Sequence, residues 1–145
     1  MKLPTILAIT LATAVFQADA NNYADVQLSL LQPAAADAIW SRETQVTPMY
    51  PIELAQQGIA GCGVFNVTIN ENGKTTDVSL VNSVPAKVIA RPAIKVIKKW
   101  LWVNNSSVAN AAEQKLIRLD FCMGGSTAEE AEARCKVQAA APCQT

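Results

Sequence analysis

Two alternating segments joined by a glycine turn constrain the fold of this chain more than any other feature. Residues 61–69 read GCGVFNVTI, with large apolar side chains at every second position, which is the period of a strand with one buried face. The turn NENGK contains Asn72-Gly73, a dipeptide that strongly favours a hairpin. Residues 75–83, TTDVSLVNS, supply the return strand. The sequence therefore predicts an antiparallel hairpin at the centre of the fold.

Helices and a third strand surround this hairpin. Residues 51–57, PIELAQQ, predict a short helix with proline in its first turn. Residues 91–103 switch to a helical period, with an apolar stripe that runs through Leu101. Residues 115–123, KLIRLDFCM, predict the third strand, and residues 126–136 predict a helix that begins with a capping box.

The connections between these elements predict the sheet order. The helix after the second strand returns the chain, so the third strand can join an antiparallel sheet only beside the first strand, by a right-handed crossover. The predicted fold class is α+β, with a three-stranded antiparallel sheet in the order 2-1-3 and helices packed on one face. The third strand is then an edge of the sheet.

A lead-in segment, residues 21–46, precedes this domain, so the sequence does not decide whether the edge of the third strand is covered or free. Its stretch DVQLSLL alternates as a strand does, and the alanine-rich stretch from Pro33 to Trp40 predicts a helix. The lead-in strand or the final helix could cover the third strand. The alternative is that the edge is free.

The N-terminus has the pattern of a secretory signal peptide, residues 1–20. Lys2 precedes an apolar run of about 14 residues, and Ala18 and Ala20 stand at the positions that a signal peptidase requires. A membrane-spanning helix needs roughly 20 apolar residues. We therefore predict cleavage after Ala20, with retention as a membrane anchor as the alternative.

The four cysteines predict two disulfides, because an even number follows a signal sequence. Three pairings are possible. The predicted topology brings the start of the first strand near the end of the third, which favours Cys62–Cys122 and leaves Cys135–Cys143 as a local bridge.

Composition argues against catalysis and against several classes of partner. The chain has no histidine, which excludes Ser-His and Cys-His nucleophile pairs, and its carboxylates are spread along the sequence. Positive and negative side chains are equal at 12 each, so no net field favours nucleic acid. We expect no enzyme activity, no cofactor, no metal site, no nucleic-acid partner and no small-molecule substrate.

The stretches PMYPIELAQQGIAGCGVFNVTINENGKTTDVSLVNS, AIKVIKKWLW and IRLDF resemble the C-terminal domain of TonB, the periplasmic energy transducer. The matching motifs are a Pro-x-Tyr-Pro entry, a glycine before the first strand, the hairpin glycine, a serine that closes the second strand and a Lys-Trp pair. The residues that carry them, which we expect to be structural, are Pro48, Tyr50, Pro51, Gly61, Gly73, Ser83 and Trp100. By this resemblance, residues 47–123 form a TonB C-terminal-like domain. Residues 124–145, predicted to be a helical extension with a disulfide, are an addition to the family pattern.

The resemblance implies a function in protein binding. In that family the third strand accepts an extended segment of an outer-membrane receptor, a form of strand addition. The corresponding partner-binding residues here are Leu116, Ile117, Arg118, Leu119, Asp120 and Phe121. Side chains expected to face outward and to provide selectivity are Leu116, Arg118 and Asp120.

The family resemblance also implies a location in the cell envelope of a Gram-negative bacterium. The expected protein is a periplasmic binding domain linked to outer-membrane transport. Because a proline-rich spanning run is missing from this sequence, direct force transmission is less well supported. The alternatives are a short transducer anchored in the inner membrane and facing the periplasm, and a self-associating structural envelope protein that forms a homodimer.

Overall fold

The computed structural model describes residues 23–44 and 47–144. The predicted signal peptide lies outside these residues. In chain order the elements are β1 (Ala24–Gln32), β2 (Trp40–Arg42), α1 (Ile52–Gln56), β3 (Gly61–Ile69), β4 (Thr75–Val84), α2 (Ala90–Ile97), β5 (Trp102–Asn104), β6 (Glu113–Met123) and α3 (Ala128–Ala140).

The main sheet is antiparallel and has the order β1-β6-β3-β4. The predicted 2-1-3 order corresponds to β4-β3-β6 and is confirmed. The predicted number of three strands is wrong, because the lead-in strand β1 pairs with β6 and makes a fourth. A second sheet of two short strands, β2 and β5, lies beside the first.

The core lies on one face of the main sheet, where the alternating apolar residues of β3 and β6 meet α1 and α2. Leu54 of α1 and Ile97 of α2 are almost completely buried there. Val26 of β1 joins the same cluster. The fully buried core residues of the two central strands are Phe65, Val67, Ile69, Ile117, Leu119 and Phe121.

The final helix, α3, packs on the opposite face, so the prediction that all helices share one face is wrong. Its buried residues Ala131 and Cys135 face β1 and β6. The helix begins as predicted: the Thr127 hydroxyl accepts a hydrogen bond from the backbone N–H of Glu130 at 3.2 Å. The Glu130 carboxylate accepts one from the backbone N–H of Ser126 at 2.7 Å, one residue before the N-cap whose N–H a standard capping box would use.

The predicted disulfide pairing is also wrong. The bonds are Cys62–Cys143 and Cys122–Cys135, with Cα separations of 5.8 and 5.2 Å. The strand register explains the difference, because Cys62 lies opposite Asp120 and not opposite Cys122. The two strand cysteines are therefore diagonal neighbours, which are about 7–8 Å apart in an antiparallel pair. The C-terminal extension crosses this face and supplies one cysteine to each of them.

Two predicted helices differ from the structure. α2 ends at Ile97, and the predicted continuation through Leu101 is replaced by a turn and β5. The backbone N–H of Trp102 donates to Gly73 O at 3.0 Å, which draws the chain into an extended conformation. The lead-in stretch from Pro33 forms a turn and then β2, because the carboxylate of Glu113 accepts the backbone N–H groups of Ile39 and Trp40.

Candidate functional site

The strand predicted to bind a partner, β6, has a neighbour on each side. β3 pairs with one side and β1 with the other, with Leu28 opposite Leu119 and Ser29 opposite Arg118. The edge that strand addition would need is therefore occupied in the described part of the chain. This is the lead-in alternative that the sequence left open.

The side chains of the predicted partner-binding residues divide between the two faces of the sheet. Ile117, Leu119 and Phe121 lie in the core, at most 2% exposed. Leu116 is half-buried. Arg118 and Asp120 were expected to face outward, but they are 9% and 0% exposed, because α3 covers their face.

Arg118 and Asp120 form a buried two-pronged ion pair. Arg118 Nε donates to Asp120 Oδ2 and Nη2 donates to Oδ1, each at 2.8 Å. The other guanidinium hydrogens bind the end of α3, at Ala141 O (2.7 Å) and Gln138 O (3.0 Å). The Gln138 amide in turn donates to Asp120 Oδ1 at 3.1 Å and to Gly61 O at 2.8 Å. This network attaches the C-terminal extension to the sheet and leaves these two groups unavailable to a partner in this arrangement.

β1 is the less firmly held neighbour of β6. Val26 is the only buried residue of β1, with an exposure of 5%, whereas Leu30 and Leu31 are 37% and 45% exposed. Its pairing with β6 is interrupted between Leu30 and Gln32. In contrast, β3 has a strand on both sides and four buried apolar residues. Removal of β1 would therefore uncover the β6 backbone while the other strand pairs remain.

The entry motif residues hold the short helix against the sheet. Pro48 and Pro51 are buried, and α1 begins directly after Pro51. The Tyr50 hydroxyl donates to Ile59 O at 2.6 Å, and its ring meets Phe121 edge-on at 5.5 Å. Burial raises the pKa of Tyr50 to about 12. The entry motif therefore contributes to the packing of α1 against the sheet.

The remaining motif residues occupy positions where the backbone passes closely. A Cβ on Gly61 would lie 1.9 Å from Val84 O, and one on Gly73 would lie 2.4 Å from Trp102 O. Ser83 Oγ accepts the backbone N–H of Lys87 at 3.0 Å and donates to Pro85 O at 3.1 Å. Trp100 is 8% exposed and meets Trp102 edge-on at 6.0 Å.

One group of polar residues was not singled out by the sequence reasoning. Lys115 is 2% exposed, and its Nζ lies 2.7 Å from Glu113 Oε2 and 5.7 Å from the centre of the Trp102 ring. Burial opposes the ionisation of Glu113, but the Lys115 ion pair and the amides of Ile39 and Trp40 outweigh it, so its pKa lies below the ordinary value. The signal in the sequence was the spacing, because Lys115 has the parity of the core residues of β6.

A metal-binding cluster and a membrane-spanning helix are both absent from residues 23–44 and 47–144. No three side chains there are grouped so that they could hold a metal ion. No helix within that same part of the chain is long and apolar enough to cross a membrane.

The residues of the sequence motifs lie within the match to a known protein family. The sequence profile described as Gram-negative bacterial TonB protein C-terminal matches residues 46–121. A solution NMR structure of the Pseudomonas aeruginosa TonB C-terminal domain is similar at 20% sequence identity with a TM-score of 0.42, covering 63% of this chain and 90% of that one. No curated protein sequence matches the chain. Because the family profile spans more than half of its residues, this chain belongs to the family of Gram-negative bacterial TonB C-terminal domains.

Proposed function

We propose that this chain is a non-enzymatic protein-binding domain of the Gram-negative periplasm that serves outer-membrane transport. The observation that carries the proposal is family membership over residues 46–121. The partner is an extended segment of an envelope or outer-membrane protein.

The partner binds by strand exchange along residues 116–121 of β6. It replaces β1, whose backbone occupies the same hydrogen-bonding positions. Main-chain hydrogen bonds supply the affinity, and alternate side chains of the incoming strand enter the positions of Val26 and Leu28. The weak burial of β1 supports this route, since displacement costs the burial of one core side chain, part of a second, and the packing of α3 against β1.

The test compares a variant with a loosened β1, a variant with a locked β1 and a surface control. Val26→Asp places a charge in the core position of β1, and Val81→Asp places the same charge on the outer strand β4, where Val81 is 54% exposed. For the lock, Ala24 and Met123 are opposite each other. The neighbouring hydrogen bond from Gly124 N to Tyr23 O makes Ala24 and Met123 a non-hydrogen-bonded pair, the type of antiparallel pair in which the two side chains lie closer together. Cysteines substituted at both positions can therefore form a disulfide.

The ligands are fluorescent peptides from the periplasmic N-terminal segments of outer-membrane receptors of the same bacterium, measured by anisotropy. We expect at least ten-fold tighter binding by Val26→Asp, unchanged binding by Val81→Asp and no binding by the locked variant until it is reduced under conditions that spare the native disulfides. Equal binding by the locked and parent proteins would refute strand exchange at β6 and leave protein binding intact. Failure of every peptide with every variant would refute the proposed function.

The location is tested separately from binding. We propose that residues 1–20 are removed and that the domain is free in the periplasm. Cell fractionation followed by intact mass measurement should give a chain that begins at Asn21 and is four hydrogens lighter than its reduced form. Recovery of the uncleaved chain with the inner membrane would support the anchored transducer instead. A mass by light scattering that is twice the monomer's would support the self-associating alternative.

A further inference from the structure

The cationic residues of this chain are unevenly distributed, although the chain as a whole is neutral. Residues 78–112 contain five lysines and arginines and no aspartate or glutamate. Ala93 and Ile97 of α2 are buried in the core, and helical periodicity places most of these cations on the side of α2 and of its last turn that faces away from the core. The exposed side chains that form this basic face are Arg91, Lys95, Lys98 and Lys99.

Little of the charge of the basic face is neutralised within the protein. Lys95 forms an exposed ion pair with Glu53 of α1, in which Nζ and Oε1 are 2.7 Å apart. The other three cations have no ion-pair partner among the described residues. Glu43 shares a cavity wall with Lys99 but does not pair with it, and the carboxylates of α3 lie on the opposite face of the sheet. The basic face therefore keeps a local positive charge.

Exposed apolar side chains border the basic face. Ile52 precedes Glu53 in α1 and is 63% exposed. Met49 is 70% exposed and lines a cavity together with Val96 and Lys99. Neither side chain contributes much burial to the folded chain, and both stand beside cations. Cations combined with projecting apolar side chains are typical of a surface that binds at a membrane interface.

The geometry of the basic face favours a broad anionic surface over a peptide. The backbone N–H and C=O groups of α2 bond within the helix, so this face offers no edge for strand addition. Three of its four cations are lysines, which carry point charges on flexible stems and lack the rigid fork by which arginine recognises a single carboxylate or phosphate group. Lipid head groups can move laterally to meet each ammonium group, which a folded protein partner cannot do.

We propose that the basic face binds the surface of a bilayer rich in anionic phospholipid, with Ile52 and Met49 entering the head-group region. α1 and α2 then face the membrane, and α3 points away from it. Each lysine or arginine near an anionic membrane contributes about five-fold to the binding constant, within a Debye length of the surface. Neither β1 nor β6 belongs to this surface, so membrane binding is independent of strand exchange.

The test is co-sedimentation of the full chain, with both disulfides formed, with two kinds of vesicle. One contains equal parts of phosphatidylglycerol and phosphatidylcholine, and the other contains phosphatidylcholine alone. At about 0.1 M salt we expect at least ten-fold tighter binding to the anionic vesicles, and at about 1 M salt, where the Debye length falls to about 3 Å, we expect this preference to disappear. Equal binding to both vesicles, or binding to neither, would overturn the proposal. Binding of soluble polyglutamate without binding to vesicles would assign the basic face to an acidic protein and would also overturn it.

Matched charge reversals locate the surface. Arg91→Glu combined with Lys98→Glu should weaken binding to the anionic vesicles about 25-fold or more, because two attractions of about five-fold each are lost. Arg134→Glu combined with Lys136→Glu changes the net charge equally, but on exposed positions of α3, and should weaken binding far less. Equal losses for the two double variants would show that net charge alone controls binding and would refute the basic face as the site.

A second pair of variants tests the apolar border without changing any charge. Ile52→Ser should weaken binding to the anionic vesicles several-fold. Val137→Ser is the control, because Val137 is 75% exposed on α3, and it should leave binding unchanged. If the charge reversals prevent folding, this pair still decides the orientation, and equal binding by Ile52→Ser and the parent chain would refute the approach of α1 to the membrane.

Discussion

The two disulfides should contribute unequally to stability, because they close loops of very different length. Cys62–Cys143 joins residues 81 apart in sequence, and Cys122–Cys135 joins residues 13 apart. In the chain-entropy treatment, loops of these lengths correspond to about 4.5 and about 3 kcal/mol of stabilisation. We therefore expect the pair Cys62→Ala and Cys143→Ala to lose about 1.5 kcal/mol more than the pair Cys122→Ala and Cys135→Ala.

The comparison is well controlled, because all four cysteines are buried, with exposures of 5%, 6%, 1% and 0% in the order of the two bonds. Loss of packing is then similar in the two double variants, and the difference between them reports loop length. The assay is urea unfolding of each oxidised double variant followed by far-UV circular dichroism, with peptide mapping of the parent chain to confirm the bonds. An equal or larger loss for the short loop would refute the entropic reasoning. A Cys62–Cys122 peptide in the parent would refute the register from which the pairing follows.

Three further predictions concern single residues. Gly61→Ala should lower the free energy of unfolding in urea by about 3 kcal/mol or more, because φ is +152° and the new Cβ would lie 1.9 Å from a carbonyl oxygen of β4. The control is Gly58→Ala, whose Cβ would meet open space at a φ of +64°. It should lower the free energy of unfolding by only about 1 kcal/mol. Asp120→Ala should cost about 3–5 kcal/mol, because Arg118 is left as a buried, uncompensated charge, and a loss below about 1 kcal/mol would contradict the role of this pair. The pKa of Glu113 is held below its ordinary 4.5 despite opposing burial, so its contribution to stability is full above about pH 4.5 and is lost as the pH falls through the folded-state pKa. Glu113→Gln should flatten the acid limb of stability against pH, and an unchanged limb would show that other groups control it.

The hairpin and the capped final helix could be predicted because their determinants are local. The Asn72-Gly73 turn, with φ of +72° at Gly73, and the alternation on either side of it specify β3 and β4 without reference to the rest of the chain. The Thr127 cap is equally local. The return of the chain through the helix after β4 then placed β6 beside β3, by the rules for strand connections.

What could not be predicted depends on contacts between distant segments. Arg118 and Asp120 have the spacing of solvent-facing strand residues, and only the position of α3 buries them. The disulfide pairing depends on the β3–β6 register, in which Cys62 lies opposite Asp120 and not opposite Cys122, two residues further along. Hydrophobic periodicity does not distinguish registers that differ by two residues. β1 was predicted as a strand, but its own residues do not specify whether it pairs with β6 or with β4, the strand at the other edge of the sheet.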